Sequence, residues 1–308
     1  MIASLEDEKS SGCCIFSGVV TPRYQSHMKH IAVICNPIPE AAAKVHQLAD
    51  AITVGLYRRA IMHQVFTQYW PDDWRAFTEI WIIGGDGTLN YFINHYPDVS
   101  LPIAVFKGGS GNDFHWMLYR DLSTEQQIEK VLNGSPTAID LGICNGRYFL
   151  NGVGIGFDGA IVKDLLGKKK VAGKASYLLS ILKHIVGYGE KPCAIELGGL
   201  TFSQSCFMIS VANGQRYGGG FKVAPKASLS DGLLDVSIVG KIPPLMRLKY
   251  LPVIEKGEHL ALPFIQYHQA ETFRFISTVY WHAHVDGEYL SADQFDIRIN
   301  EKKIFFLT

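Results

Sequence analysis

The sequence has no excess of charge of either sign: 29 Lys and Arg stand against 29 Asp and Glu, for zero formal net charge over 308 residues. A duplex nucleic-acid binder needs an overall positive field to displace counterions, so no nucleic-acid partner is expected and any polyanion contact has to be local. No run approaches the ~18 consecutive apolar residues of a membrane-spanning helix. Cysteine is sparse. Cys13, Cys14, Cys35, Cys144, Cys193 and Cys206 lack metal-ligand spacing, and a chain of this length needs no disulfides to make up for a small core, so reduced thiols and a cytoplasmic setting are expected. The basic leader of a secretory signal is also missing: Glu6, Asp7 and Glu8 occupy its place, and residues 1–28 read as an N-terminal extension. Neither a fixed-period repeat nor a low-complexity tract is present.

What the sequence does have is apolar mass. Hydrophobic residues make up 47% and charged residues 19%, which suits a large buried core. At roughly 150 residues per domain the length allows about two domains. From Ile31 onward, strand-length apolar runs alternate with segments of helical period. Strands are predicted at 31–35, 62–66, 80–83 and 102–106. Helices are predicted at 40–59, where Val45, Leu48, Ala49, Ile52 and Leu56 recur three and four apart, around Trp74 and Phe77, at 89–95, and after the capping pair Ser123 and Gln126. Near residue 136 the texture changes. Asn145-Gly146 is a two-residue hairpin signal, and short candidate strands follow at 194–197, 207–212, 233–239, 273–276, 279–285 and 295–299. Helices are expected within 158–186 and 243–256. The predicted fold is α/β, with an N-terminal Rossmann-like three-layer nucleotide domain over 29–135 and a C-terminal β-rich sandwich domain over 136–308, whose last strands can return to the first domain.

Two glycine clusters carry the chemistry. Gly84, Gly85, Asp86, Gly87 and Thr88 lie between a buried strand and a helix, where absent Cβ atoms let the backbone approach a phosphate and helix-start amides point at it. A carboxylate there makes sense beside polyphosphate only through a cation, so Asp86 suggests Mg²⁺. Lys107, Gly108, Gly109, Ser110, Gly111, Asn112 and Asp113 repeat the arrangement one βα unit later. In a parallel sheet both loops open on one edge, where α/β proteins bind ligands. A capped glycine turn is the plain alternative for each, with Asn112 and Asp113 serving only as helix caps.

These loops resemble those of the diacylglycerol kinase catalytic family of lipid kinases. The similarity continues through Asp140-Leu141-Gly142, Phe149 to Asp158, Ala224-Pro225 with Asp231-Gly232 and Asp235, and Asp286-Gly287-Glu288, in the family's order over about 31–300. The resemblance implies a soluble ATP-dependent kinase of diacylglycerol or a related lipid, with ATP and Mg²⁺ as cofactors and a lipid-binding second domain. It implies catalytic roles for Glu288, as general base, and Asp86. It places ATP on Asn36, Pro37, Thr67, Gly84, Gly85, Asp86, Gly87, Thr88, Gly109, Ser110, Asn112 and Asp113. It has Asp86, Asp113 and Asp140 form an acidic network that holds Mg²⁺ through water, with a structural cation at Asp231 and the backbone oxygens of Ser228 and Leu233. From spacing alone, Glu288 reads as an exposed turn carboxylate and Asp231 equally as a plain Asp-Gly turn. Departures from the family pattern are Ile38-Pro39-Glu40, where Pro39 removes an amide and Glu40 adds negative charge, together with Tyr91 and His115-Trp116.

Lys163, Lys168, Lys169, Lys170 and Lys174 form the sharpest basic cluster. One reading sets them on anionic headgroups, making the protein transiently peripheral to the inner membrane face; the other is a solvated helix end. Trp70, Trp74 and Trp116 divide in the same way between a membrane interface and a buried core. A homodimer is compatible with the sequence. The alternative functions are a kinase of NAD or another soluble acceptor, and a catalytically weak nucleotide- or lipid-binding protein.

Overall fold

The computed structural model describes residues 28–37, 42–167 and 174–308. The sequence features at Cys13, Cys14, Pro39, Glu40, Lys168, Lys169 and Lys170 lie outside those residues.

The first part of the chain runs β1 (His30–Cys35), α1 (Ala42–Arg58), β2 (Met62–Phe66), β3 (Glu79–Gly84), α2 (Asp86–His95), β4 (Ile103–Lys107), α3 (Asp113–Tyr119), α4 (Thr124–Asn133) and β5 (Pro136–Ile139). The uninterrupted apolar runs become strands buried on both faces: every residue of β3 is buried. Helix α1 turns Val45, Ala49, Ile52 and Leu56 inward, with Ile128 and Val131 of α4, against Val33, Trp81 and Ile83. The other face of the sheet is covered by Leu89, Phe92 and Ile93 of α2. The result is three layers. Around Trp74 and Phe77 there is no helix; both rings are buried, while Asp73 folds back to accept from the Arg75 amide at 2.9 Å and holds a turn. Two aromatic anchors thus mimicked a helical period.

The second part comprises β6 (Gly142–Cys144), β7 (Arg147–Phe149), β8 (Gly152–Gly156), α5 (Phe157–Leu165), α6 (Lys174–Ile185), β9 (Lys191–Leu197), β10 (Leu200–Cys206), β11 (Met208–Ala212), β12 (Leu234–Val239), α7 (Pro244–Lys256), β13 (Ile265–Ala270), β14 (Thr272–Val285) and β15 (Glu288–Ile299), followed by β16 (Ile304–Leu307). Its sheet runs β13-β12-β11-β8-β14-β15-β6-β7, with β9 and β10 joined to it through β14. All its pairings are antiparallel, and Val153, Ile155, Ile209, Val211, Phe275, Trp281 and Phe295 fill its core.

Three details differ from the sequence reading. The single helix expected within 158–186 is two, α5 and α6. The strands expected at 273–276 and 279–285 are one strand, β14, bulged between Ile276 and Trp281. The first sheet has the order β2-β1-β3-β4-β16-β5, with β16 parallel to β4 and antiparallel to β5. A boundary at 135 therefore cuts that sheet, which keeps the chain to Ile139 and takes its last strand back.

Candidate active site

Strands β1 to β4 run parallel, so their C-terminal ends share one edge of the sheet. Asn36 continues β1, its amide donating to the Ile83 carbonyl at 2.9 Å, and exposed Thr67 follows β2 at the same edge. The two glycine loops meet there. The Gly108 amide donates to the Gly84 carbonyl at 2.9 Å. A Cβ on Gly109 would lie 2.5 Å from the Gly85 Cα, and one on Gly85 2.9 Å from the Gly109 Cα, so neither position admits a side chain without moving backbone. Asn112 takes a left-handed conformation and closes its loop on itself, accepting from the Gly109 amide at 2.9 Å and donating to the Gly109 carbonyl at 2.8 Å. Ser110 is exposed at the tip.

Asp86 is the first residue of α2, yet its carboxylate serves another helix. It accepts from the amides of Asp113 at 3.0 Å and Phe114 at 2.9 Å, capping α3 and locking one loop to the other. Asp113 in turn reaches into the second domain, where Arg216 Nε donates to it at 2.7 Å and the Gly219 amide at 2.9 Å. Burial first, and then the Asp86 charge, push the Asp113 carboxyl above its ordinary range against the pull of Arg216. Trp116 lies between two guanidinium groups, Arg216 at 4.3 Å and Arg120 at 4.0 Å from its ring centre. Sequence reasoning missed Arg216 and its loop. The signal was present: Gly218, Gly219 and Gly220, all at positive φ, form a third glycine run shortly after buried strand β11.

The Asp286-Gly287 turn brings Glu288 to the same place. Asp286 accepts from the amides of Leu150 (2.8 Å), Asn151 (2.9 Å) and Gly152 (2.9 Å), while Asn90 of α2 donates to it at 3.4 Å. Burial pushes its carboxyl up to about 6 despite those amides. Asn94 and the Tyr148 backbone add two bonds between α2 and β7, at 3.1 and 2.9 Å. With the turn so fixed to α2, the exposed Glu288 carboxylate sits 4.0 Å from where a Gly87 Cβ would stand. Glu288 and the first glycine loop are 200 residues apart in sequence and neighbours in space.

Asp86 and Asp113 converge beside Gly111, where a Cβ would lie 3.1 Å from Asp86 Oδ2 and 3.6 Å from Asp113 Oδ2, and each of the three expected carboxylates, Asp140 included, has protein partners. Both Asp86 oxygens accept backbone amides, both Asp113 oxygens are taken by Arg216 and Gly219, and fully buried Asp140 pairs with Lys303 and accepts from the Gly232 amide at 2.7 Å. Among the described residues no three His, Cys, Asp or Glu side chains come together as metal ligands. These carboxylates organise the loops, and each oxygen keeps a lone pair that can accept from a metal-bound water. Asp231 is exposed, its carboxylate turned back on the Leu233 amide at 3.1 Å, with Ser228 half-buried nearby in sequence.

The second domain holds an apolar cavity walled by Phe157, Ile185, Phe207, Val223, Val239 and Leu251. One end is polar. Tyr217 Oη bonds Asp158 and Ser210, each at 3.0 Å, and burial pushes Asp158 up to about 6. His284, also buried, is pushed down to about 4, and its Nδ1 accepts from the Gly287 amide at 3.3 Å. A Cβ on Gly154 would lie 2.5 Å from His284 Nε2 and 2.9 Å from Asp158 Oδ2. A line of buried polar groups thus joins the turn carrying Glu288 to the cavity. Of the basic cluster, Lys163 bonds His282 Nε2 at 3.1 Å and Lys174 opens α6. Trp74 is buried and Trp70 donates to the Cys35 carbonyl at 3.0 Å.

Comparison with known proteins matches residues 41–144 to the diacylglycerol kinase catalytic domain and 151–303 to the YegS C-terminal NAD kinase beta sandwich-like domain. The diacylglycerol kinase of Bacillus subtilis is 29% identical over 221 residues, 70% of this chain and 72% of that protein. The probable lipid kinase YegS-like protein of Pectobacterium atrosepticum is 28% identical over 226 residues, 70% and 73%. In fold the chain is similar to a diacylglycerol kinase crystal structure from Bacillus anthracis, with TM-score 0.69 at 18% identity over 92% of this chain and 97% of that one. It is more distantly similar to an ATP-bound NAD kinase from Archaeoglobus fulgidus, with TM-score 0.52 at 15% identity over 91% and 93%. The chain thus carries a diacylglycerol kinase catalytic domain followed by a YegS-type C-terminal domain, and the relatives it resembles are named diacylglycerol kinase and probable lipid kinase.

Proposed function

We propose that this chain is an ATP-dependent lipid kinase that transfers the γ-phosphoryl group to a hydroxyl of diacylglycerol or a related lipid at the inner membrane face. The observation that carries the reading is the Glu288 carboxylate beside Gly87, at the mouth of the glycine loops. ATP phosphates lie over the loops, where the amides opening α2 and the Arg216 charge offset their negative charge. Glu288 takes the proton of the lipid hydroxyl as that oxygen bonds to the γ-phosphorus, the bond to the bridging oxygen breaks, and ADP leaves. The acyl chains occupy the cavity, with the polar head at its Asp158 and Tyr217 end. Lys163, Lys168, Lys169, Lys170 and Lys174 meet anionic headgroups in this reading.

The test is transfer of labelled γ-phosphate from ATP, with Mg²⁺ in the assay, to total lipids in mixed micelles. Wild type labels a lipid, and Glu288→Gln lowers the rate by about 10²- to 10⁴-fold while ATP binding is kept. Labelling of NAD or another soluble acceptor instead would replace the lipid. ATP binding with no transfer at all would leave a binding protein.

A further inference from the structure

We infer that the end of α6 and the outer face of α7 form a docking surface for an anionic lipid bilayer, seating the cavity on the membrane; this rests on the reading that the cavity takes a lipid. Helix α7 turns Arg247, Tyr250, Leu251 and Ile254 inward at helical spacing, and these residues line the cavity. The opposite face is apolar as well: Leu245 is 81% exposed, Leu248 39% and Met246 37%. On α6, Ile181 and Ile185 are buried, whereas Leu182 and Val186, just past the helix, are 45% and 59% exposed.

Buried Arg247 joins the two helix ends. Its guanidinium donates to the carbonyls of Ile185 at 2.8 Å, Tyr188 at 2.5 Å and Ile242 at 2.9 Å, and to Glu190 at 2.9 Å. The exposed apolar residues at the start of α7 and the end of α6 therefore flank one hub. Single exposed leucines are ordinary, but a group gathered on two joined helix ends marks an interaction surface.

Charge selects the partner. Segments 174–186 and 241–254 contain no Asp or Glu, the one acid of α7 being half-buried Glu255 at its far end, and Lys241 and Lys249, near Leu245 and Leu248 in sequence, are exposed. Apolar side chains accompanied by lysine suit an anionic bilayer interface. The same helices wall the cavity from within, so a bilayer on their outer face lies one helix diameter, about 10 Å, from it.

The test is vesicle flotation without nucleotide, using phosphatidylcholine alone and phosphatidylcholine with phosphatidylglycerol. Wild type should float with the anionic vesicles. Leu245→Ser/Leu248→Ser should lower the bound fraction about tenfold or more, from lost apolar burial. Lys241→Glu/Lys249→Glu should remove the preference for the anionic vesicles, and both variants should keep the wild-type melting temperature. Equal flotation of the leucine pair and wild type, or no flotation of wild type, overturns the surface even if lipid in micelles is phosphorylated. Flotation as expected with no phosphoryl transfer upholds the surface and removes the kinase reading. A wild-type dimer in light scattering that the leucine pair dissociates shows a second copy covering the face, and overturns it too.

Discussion

Arg216, on the third glycine loop of the second domain, donates to Asp113 on the second loop of the first domain at 2.7 Å, and both side chains are largely buried. The contact brings a cation to the edge where the glycine loops open and ties the domains together there. Arg216→Ala leaves the Asp113 carboxylate buried with only the Gly219 amide. Denaturant unfolding should show a loss of about 3 kcal/mol, and Asp113→Asn in that background should restore part of it. Equal losses in the single and double variants would mean that the pair is not coupled.

Gly109→Ala drives a methyl group into the Gly85 backbone. A cost of about 1–3 kcal/mol and loss of ATP binding by calorimetry are expected. Gly189→Ala meets nothing within 4 Å and serves as the contrast, with both quantities unchanged.

Asp158 gives a pH signature. Its folded carboxyl is raised to about 6 by burial, above the ordinary value of about 3.9. The folded state therefore holds a proton that the unfolded state releases, and this contribution to stability is lost as pH rises through about 6. Asp158→Asn removes it while keeping an acceptor for Tyr217. Relative to wild type, the variant should be about 1–3 kcal/mol more stable at pH 8 than at pH 5 in paired urea titrations. A pH-independent difference would place the carboxyl near its ordinary range.

Val239 ends β12 and lines the cavity. Val239→Phe fills part of the space. The KM for a long-chain lipid acceptor should rise about tenfold with the ATP affinity unchanged, as expected when a ligand-filled pocket loses volume. Parallel effects on both substrates would count against the cavity as the acyl site.

Local patterns in the sequence determined the alternation of buried strands and amphipathic helices, the Asn145-Gly146 hairpin, and the two glycine loops at strand ends. Each is written in neighbouring residues as periodicity or as glycine where backbone must come close. The polar edge strands β10 and β13 left no such trace, because half-exposed residues need no apolar run. The motif order also singled out Glu288, the general base of the function proposed above. Only the tertiary structure decided what the other carboxylates do. Asp113 meets Arg216 across 103 residues and Asp140 meets Lys303 across 163, ion pairs that no local pattern announces. It also decided where the returning last strand goes, β16 between β4 and β5, and that the Asp286 turn delivers Glu288 to Gly87. These are long-range pairings of single polar residues and one short strand. They carry no local period, and the energy that selects them comes from burial and hydrogen bonding that exist only once the chain has closed on itself.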